Sequence, residues 1–437
     1  MKKLLLGLLS LIFLIVVIVA VMLVFKLCPP AGPWPTPPWC RGDFVVDQYQ
    51  VKVSPTKLSP IKAVNMYDTW GRNYNQSMFE TTQANIDRSF DRVKALGAQE
   101  VYVHDFDRAI YDDKYDPLSI NYKLVDETFW NDFRDQSISQ AELVKLVQSA
   151  HQRGLKLGIK RNLAFVNIGK YLWSGLSGKI SSEVQKDYEA FNSSHSEAWI
   201  KDFFQKWQER LVAKGKMYQA AGVDSMTISP MFQDPTFAGQ EDLANGLWKN
   251  LITELRKSFT GQIMVDLNVY GFIDGNNGAE NWQKYDYYKQ ADIVEVRIYK
   301  ILEKYQTKFG FDQSKMQTEI SAMVAELDAK ARAAGIRLSV FYAPSSYQNS
   351  IFAGPVEYLD VKNPAIKNLI KDYDEQARAF DYFFVAVNGK QNIVRLNAGN
   401  FAWDDALDPA VMARVSISAS FRNKPAEQVV KAWFSKE

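Results

Sequence analysis

The sequence predicts a (β/α)8 barrel, and three of its features do so. Eight short apolar segments alternate with longer amphipathic helical patterns from residue 59 to the end. Several helical patterns stop at a glycine just before the next apolar segment: Gly97, Gly154, Gly222, Gly261 and Gly335. Glycine at that point suits the left-handed residue that ends a helix. The apolar segments also alternate in polarity along their length, as strands with two different faces must. Alternating strand and helix over this length means a parallel sheet, closed as a barrel. A doubly wound open sheet is the other architecture with this pattern.

The expected strands are 61–67, 100–105, 156–162, 225–229, 262–269, 293–299, 337–342 and 392–398. The expected helices are 82–96, 140–153, 197–221, 244–258, 317–334 and 365–387. In the sixth strand Val294, Val296 and Ile298 should face the helices and Glu295, Arg297 and Tyr299 the lumen. In the fifth, Val265 and Leu267 face out and Asp266 and Asn268 in. In the third, Leu157 and Ile159 leave Lys160 and Asn162 inside. In the eighth, Val394 and Leu396 leave Arg395 and Asn397. In the first, Val64 and Met66 leave Asn65 and Tyr67. The lumen is therefore expected to be polar, and its charges must be paired to be tolerated. Two readings follow: a structural ion network, or a site at the C-terminal mouth, where barrels of this kind place their chemistry.

The chain ahead of the barrel reads differently. Residues 4–25 form a 22-residue run without charge after Lys2 and Lys3. As a helix it would span about 33 Å, enough for a hydrocarbon core of about 30 Å. It is longer than the apolar part of a cleaved signal and has no small-residue cleavage pattern, so it is expected to remain as an anchor. Lys2 and Lys3 place the N-terminus in the cytoplasm and the rest outside it. Residues 29–40 hold six prolines and make a stiff stalk. The expected division is an anchor at 1–26, a stalk at 27–43 and the barrel at 44–437. Cys28 and Cys40 flank the stalk; a disulfide, lipidation or a free thiol is open. Arg41-Gly42-Asp43 matches an adhesion tripeptide, of a length that arises by chance.

Composition narrows the function. Over 437 residues, 52 basic against 50 acidic side chains give a net charge of +2, without the basic excess of a nucleic-acid binder. Two cysteines and three scattered histidines make no metal-ligand pattern. No cofactor motif is present, and none is expected. Acidic residues gather at 106–133, but Asp112, Asp113 and Asp116 lack the glycine of a calcium loop, so a solvated loop is expected there. Tyr102, Trp130, Tyr171, Trp173, Tyr270, Trp282 and Tyr347 fall in or near segments that follow strands. Their faces suit sugar rings, although loop packing accounts for most such aromatics.

Five stretches then resemble one family in order along the chain. They are 138–162 (ISQAELVKLVQSAHQRGLKLGIKRN), 196–224 (SEAWIKDFFQKWQERLVAKGKMYQAAGVD), 247–268 (LWKNLITELRKSFTGQIMVDLN), 291–299 (ADIVEVRIY) and 421–434 (FRNKPAEQVVKAWF). Together they resemble the retaining glycosidase barrels of glycoside hydrolase family 113, the β-mannanase type. That resemblance implies an acid/base Glu at the end of the fourth strand and a nucleophilic Glu at the end of the seventh. The matching positions here hold Met231 and Ala343. Neither side chain can transfer the proton or attack an anomeric carbon, and the retaining reaction needs two carboxyls about 5–5.5 Å apart. Asn268 and Tyr299 match polar positions of the family's cleft, and Trp403 matches its sugar-stacking tryptophan.

The expectation is a membrane-anchored, extracytoplasmic glycosidase-like barrel that binds a polysaccharide or oligosaccharide without the two-Glu mechanism. Candidate binding residues are Asn65, Tyr67, Lys160, Asn162, Asn268, Arg297, Tyr299, Tyr342, Trp403 and Asp404. If hydrolysis persists, rearranged carboxylates must carry it, with Glu295, Asp266 and Asp234 as candidates; further carboxylates are Asp105 and Asp107, which close the second strand, Asp405 after Trp403, and Glu357, well past the seventh strand in an insertion. A structural cell-surface protein is the remaining alternative.

Overall fold

Each strand finds its partner in the next strand of the chain, and the last finds the first. The structure, a computed structural model, describes residues 52–67, 83–111, 122–126, 138–167, 195–229, 237–277, 280–306, 312–355, 368–402 and 417–437. The barrel strands are β1 (Ile61–Tyr67), β2 (Glu100–Tyr111), β3 (Lys156–Asn167), β4 (Ser225–Thr227), β5 (Gln262–Asn268), β6 (Ile293–Ile298), β7 (Leu338–Tyr342) and β8 (Ile393–Ala402). Their order is β1-β8-β7-β6-β5-β4-β3-β2, all parallel. Pairing of Ala63–Asn65 with Glu100–Tyr102 closes the ring. The closed barrel, not the open sheet, is the architecture.

Seven long helices pack outside: α1 (Gln83–Ala95), α2 (Gln140–Gln152), α3 (Glu197–Ala221), α4 (Glu241–Arg256), α5 (Met316–Ala334), α6 (Tyr373–Val387) and α7 (Pro425–Phe434). α3 shows why such sequences form helices here. Ser196 caps its first turn by accepting from the Trp199 N–H, and Gly222 ends it at φ 84°. Trp199, Phe203, Trp207 and Leu211 recur every four residues and are buried against the barrel wall. The Trp207 indole N–H donates to the Ile228 carbonyl at 3.1 Å, so the helix is held to the β4 end as well as packed on it.

Several boundaries differ from the expectation, for reasons that can be named. β2 and β3 run 12 residues each, in register from Glu100–Lys156 to Tyr111–Asn167, and an antiparallel strand Lys123–Asp126 adds to β2. The expected acidic loop is thus partly sheet. α6 begins at Tyr373, where the Asp372 carboxylate caps it, and not at 365. Between β5 and β6 a six-residue helix, Val269–Asp274, and two 3-10 turns, Trp282–Lys284 and Tyr287–Gln290, occupy the place of a full helix. Four of the five junction glycines do have positive φ; Gly261 does not. Gly261 is small because a Cβ there would lie 2.4 Å from the Phe259 ring.

The lumen has its own apolar base of Ala63, Tyr102, Met264 and Ile293. Gly158 faces it, where a Cβ would sit 2.2 Å from the Tyr102 ring. Val394, expected to face the helices, packs against this base. The reason is an irregularity in the β7–β8 register between Leu338 and Ser339, which skips Val394.

Among the described residues no helix is long and apolar enough to cross a membrane. Residues 4–25, the proline-rich stretch, Cys28 and Cys40 lie outside the described residues.

Gly97 joins α1 to β2 at φ 92°, and a Cβ there would meet the Phe434 backbone carbonyl at 2.6 Å. Both atoms in conflict are backbone, so no rotamer relieves them. Gly97→Ala is expected to cost about 1–3 kcal/mol, read as a fall in the urea midpoint at unchanged slope.

Candidate functional site

The site is built from inward side chains at three heights. At the base, Arg395 pairs with Glu100 at 2.7 Å and donates to the Gln262 side chain at 2.8 Å. Its guanidinium lies 5.6 Å from the Tyr102 ring centre, and the Tyr102 hydroxyl donates to Glu100 at 3.1 Å. This cluster stoppers the N-terminal end.

In the middle, Lys160 of β3 reaches across the lumen to Glu295 of β6, and neither side chain has exposed surface. Lys160 Nζ also lies 4.5 Å from the Phe341 ring centre, over its face. Glu295 Oε2 accepts from Ser339 Oγ at 2.8 Å and from Asn397 Nδ2 at 3.0 Å. Side chains from three other strands thus converge on one carboxylate. Burial works to raise the Glu295 carboxyl, but Lys160 and the hydrogen bonds from Asn397 and Ser339 outweigh it and hold it below the usual range.

Asp266 is the direct ladder partner of Glu295. It is 1% exposed, and neither carboxyl oxygen has a hydrogen-bond partner among the described residues. Burial pushes it up to about 7; the Glu295 carboxylate beside it adds to the push through its charge and by lying within hydrogen-bonding reach of a protonated Asp266, while Lys160 and Arg297 oppose it. On the β1–β2 side, His104 is buried, and its Nε2 donates to Asn65 Oδ1 at 3.1 Å. Asn65 Nδ2 in turn donates to Asn400 Oδ1 at 2.9 Å. Burial, then the Lys160 charge, lower the His104 pKa to about 3, so the ring is neutral and acts as a fixed donor.

Nearer the mouth, Asn268 is exposed, and its side chain caps the short helix by accepting from the Tyr270 N–H at 2.9 Å. Arg297 is half-buried beside it in the ladder. Tyr299, also half-buried, packs edge-on to Phe341 with ring centres 5.5 Å apart. Phe341, Ala343 and Ala419 form an apolar cluster there, and Ala343 has no exposed surface. Ala419 belongs to a segment that folds over the ends of β7 and β8. Its carbonyl accepts from the Asn400 N–H at 3.1 Å, and the Phe421 N–H returns to the Asn400 carbonyl at 2.9 Å. Lys424 Nζ donates to Ser346 Oγ at 2.8 Å and to the Ser418 carbonyl at 2.9 Å. Sequence reasoning missed this closure and the Asn65–Asn400 contact. Both join residues far apart in the chain, and no local pattern announces them.

The inward direction expected of Asn65, Lys160, Asp266, Glu295, Arg395 and Asn397 is the direction found. Lys160, Asp266 and Glu295 are sealed beneath the mouth. Tyr342, expected in the cleft, faces the other way: its ring stacks on Phe383 of α6 at 4.0 Å, because the odd-numbered residues of β7 take the lumen. Asp105 and Asp107 do not line the mouth either. They pair with Arg161, Arg210 and Lys214 between the β2–β3 ribbon and α3, where Tyr218 donates to Asp105. Tyr102 is in the base, the Tyr270 hydroxyl donates to Glu303 at 3.0 Å, Trp282 packs on Tyr285, and the Tyr347 hydroxyl donates to the Gly354 carbonyl. Tyr67 and Asn162 lie on β1 and β3. Met231, Asp234, Glu357, Trp403, Asp404, Asp405, Trp130, Tyr171 and Trp173 lie outside the described residues. Among the described residues, no group of three or more His, Cys, Asp or Glu side chains could hold a metal ion.

No protein-family model matches the sequence, and no curated protein does. Solved structures do match. A complex of a GH113 β-1,4-mannanase has a TM-score of 0.54 at 13% identity, over 87% of this chain and 100% of that one. The GH113 β-mannanase AaManA from Alicyclobacillus acidocaldarius, in complex with ManMIm, has a TM-score of 0.53 at 14% identity, over 87% and 97%. At that identity the likeness shows the fold: this chain folds as the GH113 glycosidase barrels do, as the resemblance implied.

The middle pair yields a stability prediction. Lys160→Met leaves Glu295 charged and buried without its cation, and should cost about 3–5 kcal/mol. Lys160→Met combined with Glu295→Leu should recover much of that loss, measured by urea unfolding of both variants.

Proposed function

We propose that the C-terminal mouth of this barrel binds a polysaccharide or oligosaccharide and does so without the two-Glu retaining reaction. The observation that carries this reading is Ala343. It stands at the end of β7, where the resemblance implies the nucleophile, and it is packed among Phe341, Ala419 and Tyr299. A methyl group in an apolar cluster offers no nucleophile. Among the described residues near the mouth, the exposed Asn268 amide and the half-buried Tyr299 ring suit a ligand rich in hydroxyls with apolar ring faces. The β-mannanase fold supports a glycan over other ligands of that chemistry, as an analogy of fold. Trp403 and Asp404 would complete the mouth from the segment after β8. The run at 4–25 would hold the barrel at a membrane, on its extracytoplasmic side.

A second reading has one observation in its favour. Asp266 and Glu295 are neighbours in the β5–β6 ladder, and adjacent strands stand about 4.8 Å apart. That is close to the spacing of a retaining pair. Their burial stands against it, since a sugar would have to enter the lumen to reach them.

One experiment separates the two. The full chain, in detergent micelles, is titrated calorimetrically with mannans, glucans, galactans and amino-sugar polymers, and reducing ends are assayed in parallel. Saturable binding with no release is expected, and Trp403→Ala should weaken it roughly tenfold, about 1.4 kcal/mol. Release of reducing ends that disappears in a folded Glu295→Gln variant would replace the first reading with the second. No saturable binding to any of the polymers would remove both.

A further inference from the structure

Asp266 breaks a rule that the rest of the lumen keeps. Buried polar atoms are nearly always hydrogen-bonded. Both carboxyl oxygens of Asp266 are buried and without a partner among the described residues. The backbone around them is fully engaged: its N–H donates to Ser229 Oγ at 2.6 Å, and its carbonyl accepts from the same hydroxyl at 3.1 Å. The side chain is therefore placed firmly and left unsatisfied.

Its neighbour suggests why. An ionised carboxylate has about four lone-pair sites. Glu295 uses three of them, for Lys160, Ser339 and Asn397. One site remains, and the residue beside Glu295 in the ladder is Asp266. Two ionised carboxylates cannot bond to each other, because both only accept. A carboxyl that keeps its proton can donate it.

We propose that Asp266 holds its proton in the folded barrel and donates it to Glu295, so that the pair carries one negative charge between them, matched by Lys160. The charged and titratable groups facing Asp266 are Glu295 and Arg297 from β6 and Lys160 from β3, with His104 of β2 beyond them and neutral; the Ser229 hydroxyl, just past β4, meets its backbone. The inference concerns the lumen beneath the mouth and stands apart from the sugar reading.

The consequence is a stability that depends on pH in an unusual direction. The unfolded chain releases the Asp266 proton near pH 4, as an ordinary aspartate does. The folded chain retains it up to about 7. Between those values the folded state binds the extra proton, so its stability falls as pH rises, and the contribution is gone above the upper value.

The test is the melting temperature of the full chain and of Asp266→Asn at about pH 5 and about pH 8. Asparagine mimics the protonated acid and can donate to Glu295. The wild-type protein should lose melting temperature between the two values, and Asp266→Asn should lose distinctly less, ending more stable than wild type at the higher pH. Parallel profiles for the two proteins would overturn the proposal. Should the variant not fold, infrared spectroscopy of the wild-type protein decides. A protonated-carboxyl carbonyl stretch should persist in the folded chain at about pH 6 and vanish by about pH 9; its absence at the lower value would overturn the proposal equally.

Discussion

A lysine and a glutamate meet in the middle of this barrel with no exposed surface on either side chain, and the remaining lumen is arranged around that meeting. Separating two such charges leaves one of them buried alone, which the low dielectric of the interior penalises severely. Lys160 comes from β3 and Glu295 from β6. Ser339 and Asn397 fix the same carboxylate from β7 and β8. The pair therefore ties opposite walls together and sets how far apart they stand. Phe341 lies against the lysine, and Tyr299 and Ala343 lie against Phe341. The apolar cluster at the mouth rests, by that chain of contacts, on the ion pair below it.

The same economy appears outside the barrel. Arg161, on the opposite face of β3 from Lys160, pairs with Asp105 and Asp107 of β2. Tyr218, Arg210 and Lys214 of α3 complete that group. Successive residues of one strand thus carry two buried ion networks, one facing the lumen and one facing a helix. Alternation along a strand makes this possible, since neighbours in sequence point to opposite faces. The outer network bolts α3 to the β2–β3 ribbon, which extends beyond the part of those strands that pairs with β1 and β4.

The reading proposed for the mouth rests on one buried position at the end of β7. In a retaining glycosidase two carboxyls must reach the substrate from strand ends. At the end of β7 this chain places a buried methyl group, and the segment from Ile417 to Lys424 folds down over it through backbone hydrogen bonds. Among the described residues, Glu295 and Asp266 lie a layer deeper, beside Lys160. The fold this chain shares with solved β-mannanases is one whose chemistry sits at the C-terminal mouth, with the site and not the fold setting the function.

Much of this was legible in the residues themselves. The strand positions, the helix ends at Gly97, Gly154, Gly222 and Gly335, and the inward direction of Glu295, Asp266, Lys160 and Asn65 follow from polarity alternating every second residue, and that signal is local. Tyr342 was misread because its hydroxyl suggests a polar face; Ser339 puts the odd-numbered residues of β7 in the lumen, and the Tyr342 ring packs outward on Phe383. Asp105 and Asp107 were misread because β2 continues past the point where its apolar run ends; their cations come from β3 and from α3, about a hundred residues on. Val394 was misread because a register irregularity depends on the partner strand. The barrel and the polarity of its lumen are already written in the spacing of residues within single segments. Which charges pair, which two carboxyls stand side by side and what closes over Ala343 are settled only in the folded chain. Each of those depends on residues brought together from distant parts of the chain, and pairing energy in a buried site depends on distance and burial that no single segment contains.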